Sequence, residues 1–394
     1  MTGRLLLDCR ALQPGFKAHL TRGIGRYAKN LLAAMAQQLG DRPVCALAQG
    51  NLPDPQLPAA WPLVKSPYAP DWLPIGKRLI SHHMVVPATV SKHAPALTHY
   101  LAHIDAPARP PAPAVITVHD LIAQKMAALY RADKSDARFR LERWLETRCL
   151  FGAARIIAVS QCTKADLMEL YGLPPDKITV VAEAADPDLA PVTDPEAVRQ
   201  TLARHGLDHG RPFFLYVGGI DQRKGLPTLL AALAGLKERG LPHRLALAGK
   251  IKDDGQYPAF RATVEGHGLG SAVLELGFVP DADLPALFGA AAAFVFPSLY
   301  EGFGLPPLEA MACGAAVVAA RAAAVPEVVG EAGLLAPPGD PASLCRALAA
   351  ILEQPELAPS LRQKGARRAA MFTWEKAAQE TLRVYAEVGA VQAS

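Results

Sequence analysis

The spacing of apolar positions is clearest in the second half of the chain, where short continuous apolar runs alternate with longer helical periodicities. Phe213 to Val217 (FFLYV) is an apolar run closed by Gly218 and Gly219, the pattern of a buried strand. Leu226 to Arg239 follows with helical spacing, and Leu245 to Ala248, closed by Gly249, reads as a second strand. Val273 to Leu276 before Gly277 is a third strand, and Asp281 to Ala291 a helix with Asp281 at its N-cap. Ala293 to Phe296 is a fourth strand, Leu308 to Cys313 a helix stopped by Gly314, and Ala315 to Ala319 a fifth strand. Strands alternating with helices at this spacing predict a parallel, doubly wound α/β domain.

The first half repeats the alternation less cleanly. Strands are predicted at Leu5–Asp8, Val115–Val118, Ile156–Val159 and Ile178–Val181, and helices at Gly25–Leu39, Ala137–Phe151 and Lys164–Tyr171. The polar, proline-containing stretch Glu183 to Pro195 reads as a linker. The fold expected is therefore α/β, with two facing Rossmann-like domains, 1–190 and 191–373, and an interdomain cleft, since such folds bind ligands at the carboxyl ends of their strands. A final helix, Trp374 to Val388 within residues 374–394, is expected to pack back toward the first domain.

Composition narrows the class. Of 394 residues, 51% are hydrophobic and 20% charged, which marks a globular chain with ample core. The formal net charge of +4 is too small to argue for nucleic acid and fits a protein handling small anions. The six cysteines, Cys9, Cys45, Cys149, Cys162, Cys313 and Cys345, form no paired or metal-binding spacing. The apolar run Leu5 to Leu7 is too short for a signal-peptide core, and other apolar stretches are broken well before about 18 residues. A cytoplasmic protein is expected.

Two segments carry chemistry. Gly218-Gly219-Ile220-Asp221-Gln222-Arg223-Lys224-Gly225 sets glycines after a strand and two cations before a helix. A diphosphate suits such a place, with close backbone approach, free N–H groups, and a guanidinium beside an ammonium. Cations at a helix start oppose the dipole, so an anion is expected to offset them. The second segment, Tyr300-Glu301-Gly302-Phe303-Gly304-Leu305-Pro306-Pro307-Leu308-Glu309, sets a glycine turn and prolines at a helix start between two carboxylates, which can accept hydrogen bonds from sugar and ribose hydroxyls.

Together these segments are similar to the two signatures of family-four retaining glycosyltransferases of the GT-B fold. The similarity extends to Gly277-Phe278-Val279-Pro280, Val325-Pro326-Glu327-Val328-Val329-Gly330 and Phe372-Thr373-Trp374-Glu375, and in the first half to Thr21–Tyr27 and Val118-His119-Asp120-Leu121. The resemblance implies that Arg223 and Lys224 bind the donor diphosphate and stabilise it as it leaves, with Gly219 beside them. It implies that Glu309 binds ribose, that Glu301 meets the transferred sugar, and that Gly302, Phe303, Gly304 and Leu305 lend backbone N–H groups. The backbone near Phe278 and Val279 would hold the base, Gly23 would let its loop approach the donor, and His119 would sit at the reacting face. Family members often carry two glycines in that first loop, whereas here Arg22 takes the earlier position.

The whole resembles bacterial mannosyltransferases of surface-polysaccharide assembly. Hexose transfer from a nucleotide sugar to a glycan or polyprenyl-linked glycan is expected, with GDP-mannose as donor and a UDP-sugar as rival. A sugar-nucleotide epimerase or hydrolase on the same fold stays open, as does a non-catalytic partner in polymer assembly. A nicotinamide enzyme is disfavoured because no GxGxxG follows a strand. Arg223 and Lys224 can supply the charge a metal would bring, so no metal or other cofactor is expected. His99, His103 and Asp105 have a weak ligand-like spacing, and Asp281 with Asp283 reads as helix capping. Residues 61–93, with Trp61, Trp72, Lys77 and Arg78, read equally as a peripheral membrane patch or as a packed loop.

Overall fold

The structure, a computed structural model, describes residues 3–17, 19–20, 23–69, 77–111, 113–130, 137–207, 210–241 and 243–389. The chain forms two units: one runs to Glu183 and takes the chain up again at Thr373, and the other runs from Ala184 to Phe372.

The first unit is built on seven parallel strands: β1 (Leu5–Asp8), β2 (Val44–Gln49), β3 (Leu63–Ser66), β4 (Leu97–Tyr100), β5 (Ala114–Val118), β6 (Arg155–Ala158) and β7 (Ile178–Val180). Their order is β3-β2-β1-β4-β5-β6-β7, so the winding reverses between β1 and β4. Leu5, Leu6 and Leu7 are all buried, as expected of a parallel strand covered on both faces. The Gly23–Leu39 helix lies along the final helix, Trp374–Glu387, and Gln38 Nε2 donates to Glu375 O at 2.9 Å. Thr373 caps that final helix, its side chain accepting from Lys376 N. Trp374 then packs edge-on against Tyr27 at 5.8 Å, and Tyr385 OH lies 2.6 Å from His99 Nδ1.

The second unit has six parallel strands: β8 (Phe213–Val217), β9 (Arg244–Ala248), β10 (Val273–Gly277), β11 (Ala293–Phe296), β12 (Val317–Ala320) and β13 (Gly333–Ala336), in the order β10-β9-β8-β11-β12-β13. The reversal falls between β8 and β11. Its core gathers Phe214, Tyr216, Leu229, Leu233, Leu247, Val295 and Val318 between sheet and helices. Both units are thus Rossmann-like and doubly wound.

Several elements depart from the periodicity. The sequence pattern does not pick out β2, β3, β4 and β13. β4 reads LTHY, yet all four residues are buried, because His99 finds Thr117 Oγ1 at 2.9 Å on one ring nitrogen and Tyr385 OH on the other. The helix expected from Asp281 begins at Leu284. Asp283 occupies the cap position without capping, since its carboxylate takes Arg204 Nη2 at 2.7 Å and His205 Nε2 at 2.9 Å. No helix among the described residues is long and apolar enough to cross a membrane.

Candidate active site

Open α/β sheets bind ligands where the strand order reverses, at the carboxyl ends of the strands. In the second unit that place lies between the loops after β8 and β11. The first loop makes a single helical turn, Gln222–Lys224, in which Asp221 Oδ1 accepts from Arg223 N at 3.0 Å. The next residue, Gly225, has φ +69°, and a Cβ there would lie 2.1 Å from Pro297 O, so glycine alone lets the two loops touch. Leu299 N donates to Arg223 O at 2.8 Å and ties them together.

Arg223, Lys224 and Glu301 meet at this junction. Glu301 Oε1 accepts from Arg223 Nη1 at 2.6 Å, Lys224 Nζ at 2.9 Å and Ser298 Oγ at 2.6 Å. Arg223 Nη1 also donates to Tyr300 O at 2.8 Å, and Lys224 Nζ stands 5.6 Å over the Phe296 ring. Burial pushes the Glu301 carboxyl upward in pKa, but the charges of Lys224 and Arg223 and the Ser298 hydroxyl outweigh it, and the net shift is downward. Within the chain, then, Glu301 offsets the two cations ahead of the helix, with Asp221 Oδ1 a further 3.9 Å from Arg223 Nε. Beside them, Tyr216 OH donates to Gly219 O at 2.6 Å and holds the glycine pair in place.

Past Glu301 the chain turns through Gly302, Phe303 and Gly304 into the Leu305–Ala312 helix, with Gly304 at the N-cap (φ +117°) and prolines in the first turn. Phe303 is buried edge-on against Phe372 at 5.9 Å, so its side chain serves the core and only the main chain of this turn can meet a ligand. Glu309 is buried on the same helix; burial, with its charge nearby, pushes the Cys313 thiol up to about 12. Phe278 and Val279 follow β10, two strands from β8 or about 10 Å at strand spacing. Val279 is buried, whereas Phe278 is 64% exposed with Lys250 Nζ 5.0 Å over its ring.

The other predicted residues belong to the first unit. Gly23 opens the Gly23–Leu39 helix, and among the described residues nothing lies within 4 Å of a Cβ built there; the more crowded glycine is Gly25, where a Cβ would meet His19 O at 2.3 Å. Thr21, Arg22 and Trp72 lie outside the described residues. His119 follows β5. Its Nδ1 lies 2.8 Å from Glu183 Oε1, its Nε2 2.8 Å from Leu101 O, and its ring packs edge-on to Tyr27 at 4.6 Å. A carboxylate and a carbonyl only accept, so both nitrogens donate when the ring is an imidazolium. Burial opposes that charge, but Glu183 and the Leu101 carbonyl prevail and raise the pKa.

His99 and Asp105 have their polar atoms engaged within the first unit. Both His99 nitrogens are spent in the core, and burial together with the charge of His119 presses its pKa down to about 3. Asp105 is committed to Lys17 and His19.

Sequence reasoning missed Ser298, Asp221 and Glu183. Ser298 could have been found, since a hydroxyl three residues before a loop carboxylate can reach it. Glu183 sits in what reads as a linker and gives no local signal.

Comparison with known proteins places this two-unit α/β chain among the glycosyltransferases. Residues 198–368 match the model of glycosyl transferases group 1, and residues 21–189 that of glycosyltransferase family 4. The chain is 33% identical over 276 residues to O-antigen chain mannosyltransferase B of Escherichia coli, covering 69% of this chain and 70% of that one. It therefore belongs to the family-four glycosyltransferases of the GT-B fold. Among solved structures, sucrose-phosphate synthase from Thermosynechococcus elongatus superimposes with a TM-score of 0.76 at 24% identity, covering 98% of this chain and 99% of that one. Anabaena HepE in complex with UDP and glucose gives a TM-score of 0.71 at 21% identity, covering 98% of this chain and 100% of that one.

Proposed function

We propose that the chain is a retaining mannosyltransferase that moves mannose from GDP-mannose to a hydroxyl of a glycan or polyprenyl-linked glycan. The observation that carries this reading is the Arg223–Lys224–Glu301 junction at the β8/β11 reversal. Two cations there can grip a diphosphate, and a carboxylate among them can turn to a sugar hydroxyl. The base runs toward Phe278 and Val279, the ribose meets Glu309, and the turn Gly302–Leu305 and Gly219 offer main-chain groups. Gly23 and His119 take, in this reading, the donor-facing roles that the family resemblance implies.

In the reaction the bond from the anomeric carbon to the diphosphate oxygen breaks as the acceptor oxygen bonds to the same face of that carbon. The acceptor's proton passes to the departing phosphate oxygen. Negative charge grows on that phosphate, and Arg223 and Lys224 stand where it grows. No metal or other cofactor enters this scheme.

Mannose as the sugar is supported by the name of the Escherichia coli relative. A UDP-sugar is the rival, favoured by the UDP in the Anabaena complex. A panel of sugar nucleotides in a thermal-shift assay decides between them, because a ligand bound to the native state raises apparent stability. GDP-mannose is expected to give the largest shift; a larger one with a UDP-sugar overturns the donor assignment.

A cytoplasmic enzyme in peripheral contact with a membrane bearing the acceptor completes the proposal. The best support is the Ala137–Gly152 helix, where Leu141, Trp144 and Phe151 are exposed along one stripe and Arg148 lies within 5.6 Å of both aromatic rings. Flotation with anionic vesicles is expected to lose the protein on Trp144→Ser; unchanged flotation rejects this surface.

A further inference from the structure

Glu301 is held by donors of two kinds. Arg223 and Lys224 are cations, with side chains 13% and 18% exposed. Ser298 is uncharged and fully buried in the loop that follows β11. Its neighbours on both sides fix its main chain. A Cβ on Gly225 would lie only 2.1 Å from Pro297 O, and Leu299 N donates to Arg223 O at 2.8 Å. A hydroxyl carries a single proton. Ser298 Oγ lies 2.6 Å from Glu301 Oε1 and 3.4 Å from both Arg223 O and Tyr300 O, so that proton goes to the carboxylate. The three donors all meet on Oε1, and none of the three is spent on Oε2.

The two kinds of donor respond differently to a ligand. A diphosphate carries more negative charge than one carboxylate and draws the guanidinium and the ammonium toward itself. Glu301 then keeps its burial, loses part of the charge that offsets it, and gains a new anion nearby. All three effects favour its protonated form. The other titratable groups at the junction give it no relief. Asp221 is itself an anion, 3.9 Å from Arg223 Nε. Tyr216 is kept neutral by burial, and its hydroxyl donates to Gly219 O. Ser298 has no charge for a phosphate to attract, and its proton already points at Oε1. It is the donor that stays, and with Oε1 anchored the rotation of the carboxylate is limited and Oε2 keeps its direction.

We propose that Ser298 is a positioning residue for sugar transfer: its hydroxyl remains on Glu301 Oε1 when a diphosphate takes Arg223 and Lys224, and so holds the carboxylate ionised with Oε2 free to accept from a hydroxyl of the donor's sugar. The assignment rests on the reading of the Arg223–Lys224–Glu301 junction as a nucleotide-sugar site. It adds which group secures the carboxylate once the cations are engaged elsewhere.

Calorimetry on the full chain tests it, with GDP and GDP-mannose and, in parallel, UDP and UDP-glucose, read on the pair that the wild type binds more tightly. Ser298→Ala is expected to leave the nucleoside diphosphate within about threefold of wild type and to weaken the sugar nucleotide roughly ten- to a hundredfold, the scale of a hydrogen bond to a charged group. The same titrations in PIPES and in Tris, whose ionisation enthalpies differ, count the protons taken up on binding. The nucleotide's own phosphate contributes equally to both proteins. Ser298→Ala is therefore expected to take up more protons than the wild type as Glu301 loses its last donor, a count that a packing role alone does not move. Equal weakening of both ligands, weakening of neither, or an unchanged proton count each overturns the positioning role. Should Ser298→Ala fail to fold by circular dichroism, Ser298→Cys keeps the shape with a weaker donor and is expected to show the same pattern; wild-type behaviour in it also overturns the assignment. Nucleotide binding by the wild type without this pattern in the variants rejects the role of Ser298 alone. No binding of any of the four nucleotides to the wild type rejects the donor site and the role together.

Discussion

Glu301 and Arg223 are joined by a 2.6 Å ion pair in which the carboxylate oxygen is also claimed by Lys224 and Ser298. The carboxylate thus competes with any diphosphate for the same two cations. Glu301→Gln removes the competing charge and keeps the shape. Nucleoside diphosphate alone is expected to bind as tightly as in the wild type or tighter, while turnover falls on the order of a hundredfold, the scale of a lost transition-state hydrogen bond. Calorimetry with GDP and steady-state rates on the same protein check it. Weaker binding would mean that Glu301 supports the nucleotide itself.

Lys224→Ala removes one of the two cations. A hydrogen bond to a charged group contributes about 1.5–3 kcal/mol, so affinity for the nucleoside diphosphate should drop roughly ten- to a hundredfold. Calorimetry measures this directly, and unchanged affinity removes the phosphate role.

Glu309 is expected to be needed for turnover and not for folding. Glu309→Ala should lose most of the rate with a thermal midpoint close to the wild type. Near-wild-type activity would sink its assignment to the donor site.

The His119–Glu183 pair predicts a pH dependence with a definite sign. The folded pKa of His119 is raised above its ordinary 6.5. Its stabilisation is therefore complete below about pH 6.5 and is lost as the pH rises through the raised folded value. Between pH 5.5 and 8.5, the gap in thermal midpoint between wild type and Glu183→Gln should be widest at the acid end and narrow toward the alkaline end. His99 stays neutral when folded in this window and contributes equally to both proteins, so it cancels. A gap that widens with pH contradicts the imidazolium assignment.

The second unit was largely legible because its strands are short apolar runs closed by glycine, and because its chemistry lies in two loops that each follow such a run. Arg223, Lys224 and Glu301 could be placed at one sheet edge from order alone, and the structure makes them touch. The first unit hid more. β4 carries Thr98 and His99 inside the sheet, and the His99 ring is accommodated there by Thr117 on β5 together with a distant partner, Tyr385. No local pattern encodes a partner so far along the chain. Glu183 is hidden for the same reason, since its value lies in His119 and not in its neighbours. The helix read from Asp281 starts at Leu284 instead, and the Asp283 carboxylate at its cap position goes to Arg204 and His205.

The final helix lays Trp374 on Tyr27 and Tyr385 on His99, deep in the unit to which the chain's first residues belong. During synthesis those partners follow the whole of the segment Ala184–Phe372. The segment from Ala184 to Phe372 is therefore made in full before the first unit has all of its core residues, the reverse of a simple N-terminal-first order of synthesis. A cut near residue 373 removes Trp374 and Tyr385 from the core of the first unit, so it is expected to damage that unit more than the segment Ala184–Phe372.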